Sequence, residues 1–83
     1  MTRDEVLKGM TTIFSEVLRR PVEALEEHYT ARDVPGWDSL AHISIIMSIE
    51  ERYGIKLRAA QIARLKNVGE FIDVVIEKTG ARR

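Results

Sequence analysis

The chain has no cysteine. Disulfides, thiolate metal sites and cysteine nucleophiles are excluded, and any thiol chemistry needs a thiol brought in from outside. Neither sign of charge is in excess, because thirteen basic residues balance thirteen acidic ones. That balance argues against a strongly basic nucleic-acid binder and against an acidic disordered chain. No apolar run approaches the ~18 residues of a membrane span, and no signal peptide opens the chain. A cytoplasmic protein without stable membrane insertion is therefore expected. There is no internal repeat and no low-complexity stretch. Proline is scarce, at two residues, and both fall between 21 and 37 together with Gly36.

What is present is 83 residues, 45% of them hydrophobic. A chain of that size holds one small core, so residues 1–80 are expected to form a single domain, with 81–83 a frayed tail. The apolar residues recur at helical spacing, and strand-like alternation is scarce.

A first helix is predicted to start near Thr2, where Thr2 and Glu5 form a T-x-x-E capping box. Val6, Met10, Ile13, Phe14, Val17 and Leu18 make one apolar stripe on it. Pro21 should stop it near Arg20, since the residue before a proline disfavours the helical region. Residues 21–37 are long for a connection, and Val22, Leu25, Tyr29 and Val34 could tie them to the core. A second helix is predicted from Asp38 or Ser39 to about Tyr53, with Asp38 as its cap and Gly54 in the left-handed position that ends it. Residues 59–65 suit a short third helix. Asn67 and Glu70 mark the start of a fourth, with Val68, Phe71, Ile72, Val75 and Ile76 facing inward and Gly80 closing it. The expected fold is all-α: a four-helix bundle with a long loop between the first and second helices and a short third helix.

The second helix carries more apolar residues than one core-facing side needs. Ile45, Ile46, Ile49 and Tyr53 form one face, with His42 at its upper end. Leu40, Ile43 and Met47 form a second stripe, at steps of three and four.

The stretch Gly36-Trp37-Asp38-Ser39-Leu40 is the most informative for chemistry. It sets a serine in the first turn of an amphipathic helix, directly after a glycine-containing loop. Free amides and the positive dipole end at a helix start favour a phosphate there. Taken alone the signal is weak, because a serine at a helix start is most often a plain cap. Ser39 and His42 are neighbours on a helix, but no orienting group or oxyanion hole accompanies them, so a serine hydrolase is not expected. His28 and His42 lack zinc-ligand spacing, and there is no calcium loop or Walker motif, so no metal site is expected. The basic residues lack interleaved aromatics, so no nucleic-acid partner is expected.

With these residues in view, the chain resembles the acyl carrier protein family over nearly its whole length. The resemblance is carried by Gly36-Trp37-Asp38-Ser39-Leu40, then Ile43, Ile46, Ile49, Glu50, Glu51, Tyr53, Gly54 and Leu57, and later Leu65, Asn67-Val68 and Phe71-Ile72. It implies that Ser39 is the serine modified by a phosphopantetheinyl transferase, which takes 4'-phosphopantetheine from coenzyme A. The arm ends in a thiol that carries acyl groups as thioesters, in keeping with a chain that has no cysteine. The resemblance implies a carrier that does not catalyse, works as a monomer and presents its cargo to acyl-loading and acyl-transferring enzymes. Asp38, Leu40, Ile43, Met47, Glu50 and Glu51 are the expected partner contacts.

The chain departs from the family in its charges. Fatty-acid carriers of this kind are strongly acidic along the second helix, whereas here Ala41 and Ser44 stand where acids are common. Residues 23–51 hold seven acids and one base, and residues 52–66 hold five bases and no acid. This pattern points to a specialised pathway, making a polyketide, a modified lipid or another secondary product. The basic segment 52–66 could tell dedicated partners from those of bulk fatty-acid synthesis. Two alternatives use the same residues differently. One is a carrier of aminoacyl or peptidyl groups, including D-alanine, and the other is a helical interaction module that is never modified.

Overall fold

The structure, a computed structural model, describes residues 2–80. The expected frayed tail, 81–83, lies outside the described residues. Four helices follow one another: α1 (Arg3–Leu18), α2 (Ser39–Tyr53), α3 (Ala59–Ile62) and α4 (Val68–Thr79). The all-α bundle with a long first connection and a short third helix is therefore as the sequence pattern predicts.

Helix α1 begins where its capping box places it. The Thr2 Oγ1 accepts from the Glu5 amide at 3.1 Å, and the Thr2 amide donates to Glu5 Oε1 at 2.8 Å. Its stripe of Val6, Met10, Ile13 and Phe14 is buried. The helix ends slightly before the predicted Arg20, with Arg19 in the left-handed region at φ 56°. The physical cause lies in Ser15. Its hydroxyl accepts from the Val22 amide at 3.0 Å, which draws the chain back across the end of the helix past Pro21.

Helix α3 is shorter than the predicted 59–65. Beyond Ile62 the amides of Arg64 and Leu65 donate to the carbonyls of Gln61 and Ile62. These bonds span three residues rather than four, so the chain tightens into turns as Leu65 is drawn into the core. Helix α4 starts as predicted, with Asn67 Oδ1 accepting from the Glu70 amide at 2.9 Å.

The core is built from Met10, Ile13 and Phe14 of α1, Ile45 and Ile49 of α2, and Phe71, Ile72 and Val75 of α4. The long loop joins it through Leu25 and Val34, both buried, with Val22 and Tyr29 packed alongside. Polar ties add to this. The Glu27 and Tyr29 carbonyls accept from the Gly69 and Val68 amides at 2.8 and 3.0 Å. Those amides belong to the first turn of α4, which has no acceptors of its own for them. The Arg3 guanidinium then bridges Glu27 and Asp73, at 2.6 Å to each. Helix α1, the loop and α4 are thereby held together on the side of the molecule where the chain begins.

Candidate functional site

The loop that leads to Ser39 is wound tightly. Gly36 lies at φ +91°, a conformation that side chains rarely adopt. This lets the Trp37 amide donate to the Val34 carbonyl at 3.1 Å and the Asp38 amide to the Gly36 carbonyl at 3.0 Å. Arg20 fastens the start of the turn by donating to the Pro35 carbonyl.

Trp37 anchors this turn. Its side chain is 5% exposed, as suits an anchor of the loop. It stands perpendicular to Phe14 at 4.9 Å between centroids and lies 5.9 Å from Phe71. Its Nε1–H donates to His42 Nδ1 at 3.0 Å. A neutral imidazole that accepts at Nδ1 carries its proton on Nε2. Burial pushes the His42 pKa below its ordinary value, and no charged group contributes to the shift. No local pattern announces this bond, because Trp37 lies in a loop and five residues separate it from His42.

Asp38 caps α2 as expected: its Oδ1 accepts from the Ala41 amide at 2.8 Å. Its carbonyl accepts from the His42 amide at 2.8 Å. Ser39, the first residue of the helix, is exposed. Among the described residues its hydroxyl makes no hydrogen bond, and the Ser39 and Leu40 amides have no acceptor. An accessible hydroxyl beside two unused amides at the positive end of a helix suits a phosphodiester. It does not suit a hydrolase, since the His42 nitrogen nearest the loop is already taken by Trp37 and nothing activates the hydroxyl.

The two stripes of α2 separate cleanly. Ile45, Ile46 and Ile49 are buried, and Tyr53 is half-buried. Leu40, Ile43 and Met47 are 77%, 56% and 62% exposed. Three large apolar side chains left in water on one helix face are unusual for a domain this small. An open cleft of about 780 Å³ continues from Met47 along Ser48, Glu51, Gly54 and Lys56. Glu51 is exposed. Glu50 is half-buried and accepts from the Leu57 amide at 2.9 Å through Oε2. It therefore holds the connection after α2 in place, a tie that its position in the sequence did not announce. The bases of residues 52–66 do not share one groove. The Arg52 guanidinium lies 6.0 Å from the centroid of the Tyr53 ring. Lys56 lines the cleft beside Met47, and Arg64 borders another with Glu70, Asp73 and Glu77.

A family model described as "Phosphopantetheine attachment site" matches residues 8–75. The chain belongs to that family, and within it to the acyl carrier proteins. An acyl carrier protein of Cyanidium caldarium is 32% identical, over 94% of this chain and 91% of its own length. The holo acyl carrier protein of Geobacter metallireducens, solved in solution, is 36% identical with a TM-score of 0.82. That match covers 92% of this chain and 87% of that one. The crystal structure of an acyl carrier protein from Thermotoga maritima is 25% identical with a TM-score of 0.84, covering 98% and 94%. A protein of this family carries acyl groups through covalently attached 4'-phosphopantetheine, engages phosphopantetheinyl transferases and acyl-handling enzymes, and is a carrier rather than an enzyme. Among the described residues no helix is long and apolar enough to cross a membrane.

Proposed function

We propose that Ser39 is the attachment residue and that the chain shuttles acyl thioesters in a specialised pathway within the cytoplasm. In the loading step the Ser39 oxygen forms a bond to the phosphorus of the pantetheine phosphate. The bond from that phosphorus to the adenosine bisphosphate half of coenzyme A breaks, and the hydroxyl proton passes to a base of the transferase. The observation that carries this reading is the exposed Ser39 hydroxyl, without a hydrogen bond, at the head of a helix whose outer stripe is also exposed.

Leu40, Ile43 and Met47 form the surface on which partner enzymes dock, with Asp38 at its head and Glu51 at its foot. Glu50 supports the foot from below through its bond to Leu57. Methionine adapts to partners of different shape, which suits a carrier that visits several enzymes. The specialised pathway is supported by the zero net charge and by Ala41 and Ser44 on α2. A carrier lacking acids there presents a weaker target to basic partner surfaces.

Incubation of the purified apo chain with coenzyme A and a broad-specificity phosphopantetheinyl transferase tests the assignment. The wild type should gain the mass of one phosphopantetheine and Ser39→Ala none. An equal gain in Ser39→Ala contradicts it.

A further inference from the structure

Three hydrogen bonds straddle Ser39. Asp38 Oδ1 accepts from the Ala41 amide, the Asp38 carbonyl accepts from the His42 amide, and Trp37 Nε1–H donates to His42 Nδ1. The first two belong to any well-capped helix. The third joins two side chains, one two residues before Ser39 and the other three residues after it.

This third bond is fixed from outside α2. The Trp37 and His42 rings lie within 15° of parallel, so the indole N–H can point along the imidazole lone pair. Phe71 of α4 lies 5.6 Å from the His42 ring and 5.9 Å from the Trp37 ring. Phe14 of α1 packs against Trp37 at 4.9 Å. The loop, α1 and α4 therefore all bear on the direction in which the start of α2 presents its serine.

We propose that the Trp37–His42 hydrogen bond is a clamp that fixes how Ser39 is presented, and that His42 is a positioning residue for attachment of the arm. The proposal rests on the reading of Ser39 as the attachment residue. Its physical basis is the burial of the donor. The indole is shielded from water, so loss of the acceptor leaves a buried N–H with no partner. The chain relieves that by lifting the 34–38 turn toward water, which uncouples Asp38 and Ser39 from the bundle. The transferase then meets Ser39 in several orientations instead of one. Binding of the apo chain weakens, while the chemical step, carried by the transferase, keeps its rate once the chain is bound.

The test is run on the intact apo chain with coenzyme A and a phosphopantetheinyl transferase, reading initial rates by intact mass over a range of chain concentrations. His42→Asn keeps an acceptor at the δ position. His42→Leu and His42→Phe keep apolar bulk without one, and Trp37→Phe removes the donor. The clamp predicts a wild-type KM for His42→Asn. It predicts a KM raised about five- to tenfold for His42→Leu and His42→Phe, which strand the buried N–H, and a smaller rise for Trp37→Phe, which removes it, with kcat within about twofold. Combining Trp37→Phe with His42→Leu leaves no stranded N–H and should bring KM back to that of Trp37→Phe alone. Thermal melts of each variant fix a temperature at which the assayed chains are folded.

A wild-type KM in His42→Leu or His42→Phe overturns the clamp, and so does a His42→Asn that falls with them. Unfolding of both apolar variants would make the bond a requirement of the fold rather than of presentation, and overturns it too. No gain of mass in the wild type, or an equal gain in Ser39→Ala, overturns the Ser39 reading itself. A normally loaded wild type with unaffected variants overturns the clamp alone.

Discussion

The rings of Phe14 and Trp37 meet at 89°, with their centroids 4.9 Å apart. Helix α1 and the residue two places before Ser39 are joined by this contact, although 23 positions separate them in the chain. Perpendicular aromatic pairs add about 0.5–1.5 kcal/mol beyond the area they bury. Trp37→Ala removes the pair, the bulk and the bond to His42 together. It should cost about 3–5 kcal/mol, which is most of the stability of a domain whose total lies at the low end of about 5–15 kcal/mol. Urea denaturation followed by circular dichroism measures this, and a loss under about 1 kcal/mol would show that Trp37 is not the anchor.

His42 gives stability a pH dependence of definite sign. Burial lowers its pKa in the folded chain. As pH falls, the unfolded chain takes up the proton first, near its ordinary value of about 6.5. Stability is therefore full above that value, declines as pH drops below it, and levels off once the folded chain is protonated as well. Glu27 acts in a different window. Its pKa is lowered, chiefly by the hydrogen bond from Arg3. Its contribution is present above the ordinary carboxylate value of about 4.3 and is lost as pH falls through the lowered folded value. Between about pH 7 and 5.5 histidine protonation dominates, so the urea midpoint of the wild type should fall there and that of His42→Asn should fall less. Equal declines in the two proteins contradict the assignment to His42.

The exposed stripe should separate function from stability. Ile43→Gln and Met47→Gln remove side chains that lie largely in water. Each should change stability by no more than about 0.5 kcal/mol. Loading by the transferase and acylation by partner enzymes should fall several-fold, since apolar anchors carry most of a contact's energy. Steady-state kinetics and thermal melts on the same samples check both halves. Wild-type kinetics in both variants would remove the stripe from the docking surface.

Gly9 of α1 leaves room for the Tyr53 side chain of α2. A Cβ there would collide with the Tyr53 hydroxyl and stand 3.3 Å from Arg52 Nε. Gly9→Ala gains about 0.5–1 kcal/mol in helix propensity but overpacks the contact by about 1–3 kcal/mol. A net loss of about 1 kcal/mol is expected, with most of it recovered in Gly9→Ala combined with Tyr53→Phe. Simple addition of the two single changes would argue against the clash.

How far the sequence discloses all this depends on the range of the interaction. The capping box at Thr2, the caps at Asp38 and Asn67 and the left-handed Gly54 are local devices, and each stands where its residue pattern puts it. The division of α2 into a buried and an exposed stripe is likewise written in its periodicity. What distant partners decide was hidden. The end of α1 is set by Ser15 reaching Val22, the end of α3 by the burial of Leu65, and the long loop is held by α4 amides that no local pattern reveals. At the site the sequence marks Ser39 and Asp38 but is silent on the Trp37–His42 bond. Glu50 shows the same limit: expected from the resemblance as a partner contact, it also accepts from the Leu57 amide.

The most direct measurement of the central claim is fragment mass spectrometry of the chain after loading from coenzyme A. One phosphopantetheine per chain is expected, with fragments on either side of Ser39 placing it on that residue. A group found on another serine or threonine, or a chain that stays unmodified with a transferase active on a control carrier, would contradict it.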